Sequence, residues 1–177
     1  MLVLQHELPV FAASIETLLD QAFGPGRTAK TSYRYRDGVA PLAPLCFTAL
    51  IDHALAGTVR HWPVTLSGGD ALGQPLNTVL LGPIAVDPAL KAMGIGAALM
   101  HHALGEARRL GVDMVVLVGD PAYYSRFGFR AAAAFGIVMP HETAHRVQAL
   151  PLSARAAQTT QGGVILPAST LPLPVAA

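Results

Sequence analysis

Residues 79–118 constrain this chain most, because two apolar segments there bracket a helical pattern that opens on glycines. Residues 79–86 are almost continuously apolar, as in a central strand buried on both faces. Gly82-Pro83 interrupts the run, and proline brings no N–H to a ladder, so a bulge or local opening is expected there. Asp87-Pro88 ends the strand. Ile95, Ala98, Leu99, His102, Ala103, Ala107 and Leu110 then share one stripe at helical spacing. Arg108 and Arg109 fall in the last turn and Gly111 follows, which suits a helix C-terminus. Residues 112–118 form a second apolar strand. Strand, helix and strand in that order predict parallel neighbours joined by a right-handed crossover.

The helix opens on Lys91-Ala92-Met93-Gly94-Ile95-Gly96-Ala97. Glycines at a helix entrance remove side chains that would block a ligand. First-turn amides have no intrahelical acceptor, and the helix dipole adds partial positive charge. Together these make an anion site, to which Lys91 is placed to add a full charge. A lone Gly-x-Gly also fits a tight loop with close helix packing. A Walker loop needs Gly-Lys-Ser/Thr, which is absent. A dinucleotide fold wants a third glycine where Leu99 stands, and its glycines directly after the strand, where residues 87–93 intervene. Its acidic residue should end the next strand, but Asp113 begins it.

The flanks complete a single domain over residues 1–166. Residues 1–7 read as a first strand and not as a signal peptide, because no basic segment precedes their apolar residues. Phe11, Ile15, Leu18, Leu19 and Ala22 make a helical stripe within 10–23, stopped by Gly24-Pro25-Gly26. A basic and aromatic patch follows, with Arg27, Lys30, Tyr33, Arg34, Tyr35 and Arg36. It reads as a solvated connection or as a substrate-facing rim. Residues 45–51 and 56–66 are two strands around a turn at Asp52 and His53. Residues 162–166 suggest a last strand, and 167–177 a loose or docked tail. The composition is 52% hydrophobic and 13% charged, enough for a sizeable core. A net charge of +1 gives no electrostatic case for nucleic acid or an anionic membrane. The longest uncharged apolar stretch, 38–51, holds Pro41 and Pro44 and is too short to span a bilayer. Cys46 is the single cysteine, so no intrachain disulfide can form, and a cytoplasmic protein is expected.

Two ordered motifs resemble the GNAT superfamily of N-acetyltransferases. Lys91-x-x-Gly94-x-Gly96 is similar to that family's Gln/Arg-x-x-Gly-x-Gly/Ala diphosphate loop, after a family-like lead-in over residues 81–88. Residues 119–129, with Tyr124 and Gly128-Phe129, look like its Tyr-x-x-x-Gly-Phe element. The match is nearest to small bacterial members whose substrates are mostly unassigned. It is strong over 79–131, looser over 1–66 and weak beyond Pro140. Lys91 replaces the usual Gln or Arg, losing bidentate geometry; Ala92 replaces a common glycine. The resemblance implies a mixed α/β fold: a mostly antiparallel sheet of six or seven strands, helices on both faces, and a splayed parallel central pair. It implies that acetyl-coenzyme A lies in the splay. Main chain at Ile84, Ala85 and Val86 would meet the pantetheine, and Lys91, Ala92, Met93, Gly94, Ile95, Gly96 and Ala97 the diphosphate, with Asp120 also near the cofactor. The expected partners are a small-molecule or peptide amine and, for a homodimer, a second copy of the chain.

Acetyl transfer needs a neutral amine, a donor for the oxyanion and a proton for the departing thiolate. By resemblance Tyr124 is the general acid; the alternative is an aromatic packed in the sheet, with Tyr123 expected as the core residue of the pair. Asp120-Pro121 suits a helix opening. The strand 79–86 carries no carboxylate or imidazole, so the base is not legible; His61 and a water chain are candidates. Cys46, between Leu45 and Phe47, reads as a core thiol. A non-catalytic acyl-coenzyme A-binding or regulatory module is the main alternative. The more remote one is a zinc hydrolase, because His141-Glu142-Thr143-Ala144-His145 matches His-Glu-x-x-His. A third ligand is missing downstream, and Pro140 and Pro151 leave room only for a short helix. A polar surface turn is expected there, and no metal.

Overall fold

A computed structural model describes residues 1–158 and 162–168. The elements in chain order are β1 (Leu2–His6), α1 (Ala12–Phe23), β2 (Phe47–Ile51), β3 (Ala54–Leu66), β4 (Thr78–Val86), α2 (Ile95–Arg109), β5 (Met114–Val118), α3 (Pro121–Tyr124), β6 (Arg130–Ala131), β7 (Ile137–Val138), β8 (Val147–Pro151), α4 (Ala154–Ala157) and β9 (Gly163–Pro167). The strands run in the order β1-β2-β3-β4-β5-β8-β6, with β9 paired to both β3 and β7. The sheet is antiparallel except for β4–β5 and β7–β9. Among the described residues nine strands replace the six or seven expected, because β6 and β7 have two residues each, too short to carry a period.

Local chemistry explains the boundaries that differ. Strand β2 starts at Phe47 and not Leu45, since residues 43–45 form a 3-10 turn with proline in its first turn. Asp52 and His53 both have positive φ, 49° and 68°, and join Ile51 to Ala54 in a two-residue hairpin of the type whose twist suits flanking strands. Pro167 does not begin a tail; it ends β9 opposite Val64. The remainder of the expected tail, 169–177, lies outside the described residues.

A bulge in β4 sets the faces of the sheet. Val59 pairs with Ile84 and His61 with Leu81, so two residues of β4, Gly82 and Pro83, oppose Arg60 alone. The extra residue shifts the alternation by one. Val79, Leu81, Ile84 and Val86 therefore all face α2, with Leu99, Ala103 and Leu117. Leu80 and Ala85 face the other side, where Ala85 meets Ile15, Leu18 and Leu19 of α1. One helix covers each face.

The parallel pair is joined at one end only. Its register is Thr78↔Met114, Val79↔Val115 and Leu80↔Val116, after which the strands part. Asp113 fastens the closed end. Its carboxylate accepts from the Asn77 N–H (2.9 Å), Ser153 Oγ (2.7 Å) and Arg155 Nε (2.9 Å). From Leu81 to Val86 the β4 edge that faces β5 has no strand partner among the described residues. No helix among them is long and apolar enough to cross a membrane.

Candidate active site

The N-terminus of α2 lies at the open end of this splay. Gly94 caps the helix at φ +78°, and no side chain caps it. The Ala98 N–H reaches the Gly94 carbonyl at 2.9 Å, so the amides of Ile95, Gly96 and Ala97 precede the first intrahelical bond. Among the described residues no acceptor meets them. Lys91, Ala92, Met93 and Gly94 are exposed, while Ile95 is buried and anchors the turn. This is a donor cluster at the positive end of a helix of 15 residues, as expected of a diphosphate site. Ile84, Ala85 and Val86 stand on the unpaired β4 stretch beside it.

The two tyrosines come from the turn after β5. One Asp120 carboxylate oxygen accepts from the Ala122 N–H at 3.0 Å, capping α3, so that group acts as a helix cap. Tyr124 then packs against the core that holds Phe129. Burial pushes its phenol up to about 12, so it stays protonated at neutral pH. Tyr123 was expected to be the core residue. Instead its ring lies under Arg126 at 4.6 Å, and its hydroxyl would sit 3.1 Å from a Cβ at Gly96. Tyr123 thus closes on the helix mouth and Tyr124 on the splay.

A cavity of about 390 Å³ opens where the strands part. Leu80, Leu81, Gly82, Pro83, Ile84, Val118 and Tyr124 form its floor; Phe23, Arg27, Lys30, Tyr33, Arg36, Glu142 and Arg146 are among its walls. A second cavity of about 440 Å³ adjoins it through Arg27, Tyr33, Arg36 and Pro83 but does not include Tyr124. The basic patch therefore divides. Arg27 is buried and tied to Asp20 (2.8 Å), Glu16 and the Tyr33 hydroxyl (2.7 Å), so it holds the segment to α1. Arg36 faces the cavity with its guanidinium 4.4 Å from the Tyr33 ring. Arg36 and Lys30 stand where a rim was expected, whereas Arg27 connects the segment to α1 but is buried and not solvated.

Other candidates fall away from the site. His61 is fully buried and lines neither cavity. Its Nδ1–H donates to the Leu45 carbonyl at 2.8 Å, and burial pulls its pKa down to about 4. Cys46 is a core thiol pushed up to about 11 by burial. The His141-to-His145 segment is a turn followed by a 3-10 turn at Ala144–Arg146, so no α-helix puts the two imidazoles on one face. Among the described residues no group of three or more His, Cys, Asp or Glu could hold a metal ion. Glu142, read from sequence as part of that decoy, instead reaches the cavity with Arg146. Sequence gave no sign of this, since the turn is brought to the splay only by the pairing of β8 with β5.

Known proteins share this fold. The model of the acetyltransferase (GNAT) family matches residues 12–129. YhbS of Escherichia coli K12, an uncharacterized N-acetyltransferase, is 34% identical over 134 residues, 75% of each chain. The crystal structure of E. coli YhbS in complex with CoA has a TM-score of 0.76 at 30% identity, covering 93% of this chain and 88% of that one. A GNAT family acetyltransferase from Brucella melitensis in complex with acetyl-CoA shares the fold, with a TM-score of 0.68 at 24% identity over 94% and 95% of the two chains. With the family match running from the start of α1 through the tyrosine-bearing turn, the chain belongs to the GNAT family of acetyltransferases.

Proposed function

We propose that the protein moves an acetyl group from acetyl-coenzyme A to a primary amine by direct attack of the amine on the thioester. One observation carries this reading. The unclaimed amides of Ile95, Gly96 and Ala97 and the protonated Tyr124 flank a single open stretch of β4. These residues fit the co-substrate. The amides match a diphosphate, Lys91 adds charge beside it, and main chain at 84–86 suits the amide-bearing pantetheine arm. The CoA and acetyl-CoA complexes of the two relatives support the assignment.

When bound, acetyl-coenzyme A supplies the activated acyl carbon. The amine nitrogen bonds to that carbon, the carbon–sulfur bond breaks with its electron pair leaving on sulfur, and Tyr124 gives the sulfur its phenolic proton. An arriving ammonium loses one proton before attack and its nitrogen a second as the amide forms. One proton restores Tyr124 and the other passes to solvent. The cations around the cavity favour the neutral, nucleophilic amine.

Calorimetry with coenzyme A and a coenzyme A-release assay across an amine library test the reading. Binding that competes with acetyl-coenzyme A, and release that depends on an amine, are expected. Binding without release for any amine would leave a non-catalytic acyl-coenzyme A module; no binding by folded protein would overturn the site itself.

A further inference from the structure

We propose that the acceptor is a small amine that also carries an acidic group, with its anionic end on Arg36 and its ammonium on Glu142. This rests on the acetyl-transfer reading and adds a substrate class to it.

The cavity beneath Tyr124 has unbalanced charge. Arg27, Lys30, Arg36 and Arg146 face a single carboxylate, Glu142, among its described lining. Arg27 is neutralised by Glu16 and Asp20. Among the described residues, Lys30, Arg36 and Arg146 have no carboxylate within 4.0 Å. The diphosphate of coenzyme A does not account for them, because none of residues 91–97 lines this cavity, and the pantetheine arm placed at Ile84 carries no charge.

Arg36 is the most exacting of the three. Its Nε is buried without a hydrogen-bond partner, and Tyr33 and Trp62 stack near its guanidinium at 4.4 Å and 5.9 Å. Burial pulls it down to about 10, so it is still charged at neutral pH. A desolvated guanidinium with no counter-ion is costly unless a ligand completes it, and its planar fork suits a carboxylate or phosphate. Glu142 is the converse. Burial pushes its carboxyl up, opposed by Arg146, Arg36 and the Ser32 N–H, yet no cation comes within ion-pair distance. A cation lacking an anion and an anion lacking a cation line one chamber with Tyr124, and a zwitterionic acceptor satisfies both. In the transfer, Glu142 takes the ammonium proton before the nitrogen attacks, and passes it to solvent.

Matched acceptors test this: glycine against glycinamide, alanine against alaninamide, phosphoethanolamine against ethanolamine, and a short peptide. The coenzyme A-release assay should give the acidic member of each pair at least a tenfold higher kcat/KM, and Arg36→Met should shrink that ratio at least tenfold through KM. Glu142→Gln should raise KM for acidic acceptors and flatten the acidic limb of the pH–rate profile. Calorimetric titration of the same pairs into protein saturated with coenzyme A gives a second readout that needs no turnover. If no amine is turned over yet the acidic members bind, acetyl transfer fails and the binding assignment survives. Equal use and equal binding of neutral and acidic members would overturn the proposal, as would preference for the peptide. Arg36→Lys, which keeps the charge and loses the planar fork, should keep only part of the preference for the acidic member; if Arg36→Met does not fold, that partial loss and the wild-type ratio decide, and an undiminished preference in Arg36→Lys counts against the guanidinium.

Discussion

A Cβ at Gly119 would lie 2.1 Å from Cε2 of Tyr124, far inside any real contact. The glycine therefore leaves the space in which the tyrosine ring stands beside the splay. Two substitutions separate the hydroxyl from its placement. Tyr124→Phe keeps the ring against Phe129 and removes only the hydroxyl proposed as the acid, so kcat should fall by about 10²-fold or more while coenzyme A affinity holds. Gly119→Ala keeps the hydroxyl and displaces it, so kcat should fall comparably, with ~1–3 kcal/mol lost in urea unfolding from overpacking. Tyr124→Phe with full kcat would remove the tyrosine from the mechanism. The place of Tyr124 beside the splay was legible because the Tyr-x-x-x-Gly-Phe spacing is local. Arg36 was legible only as one of a basic patch and Glu142 only as part of a His-Glu-x-x-His match, since sequence reports that a residue is basic or acidic but not which partner has already neutralised it. Arg27 and Arg36 look alike along the chain and differ only in whether α1 offers a carboxylate.

At the scale of elements, the mouth of α2 depends on two left-handed residues. Gly94 at φ +78° needs no side chain, but Ala92 at φ +67° places a Cβ where L-residues are disfavoured by ~1–2 kcal/mol. Ala92→Gly should relieve this and lose ~0.5–1 kcal/mol to chain entropy, a net gain of up to about 1.5 kcal/mol in thermal unfolding. Gly94→Ala should do the reverse, losing up to about 1.5 kcal/mol net and weakening coenzyme A binding, because Gly94 sets the direction of the donor amides. A stable Gly94→Ala variant with undiminished binding would show that another conformation serves. The β4 bulge was anticipated from Gly82-Pro83, a strand signal that depends on one missing N–H. Its consequence was not, because the phase shift that turns both Leu81 and Ile84 toward α2 exists only against the register of β3.

Over the whole molecule, the central strands and the α2 crossover were legible because apolar periodicity is dense there. The two-residue strands and the return of β9 to β3 are set by non-local pairing. His61 shows the same limit. From sequence it was a candidate base one strand from the site, whereas in the fold it is a core residue whose titration bears on stability. Its Nδ1–H is committed to the Leu45 carbonyl, and its Nε2 has no partner, so a second proton would be buried without an acceptor. The folded pKa of about 4 lies below the ordinary 6.5, so the unfolded chain binds more protons between them. The contribution is therefore complete above pH 6.5 and lost as pH falls toward 4, on the order of 3 kcal/mol in all. Burial alone would raise Glu16 and Asp113, but hydrogen bonds from Arg60 and Arg27, and from Arg155 and Ser153, hold both below their ordinary range. Those carboxylates act in the same direction, chiefly below about pH 4.5. Glu142, whose carboxyl burial pushes up, acts in the opposite direction above pH 4.5, so the difference in urea midpoint between the wild type and His61→Gln isolates the histidine between pH 6.5 and 5. That difference should move steadily against the wild type as pH falls, whatever the variant's absolute stability. A difference that does not move across this interval would mean that His61 gains its second proton inside the fold and is not sealed in the core.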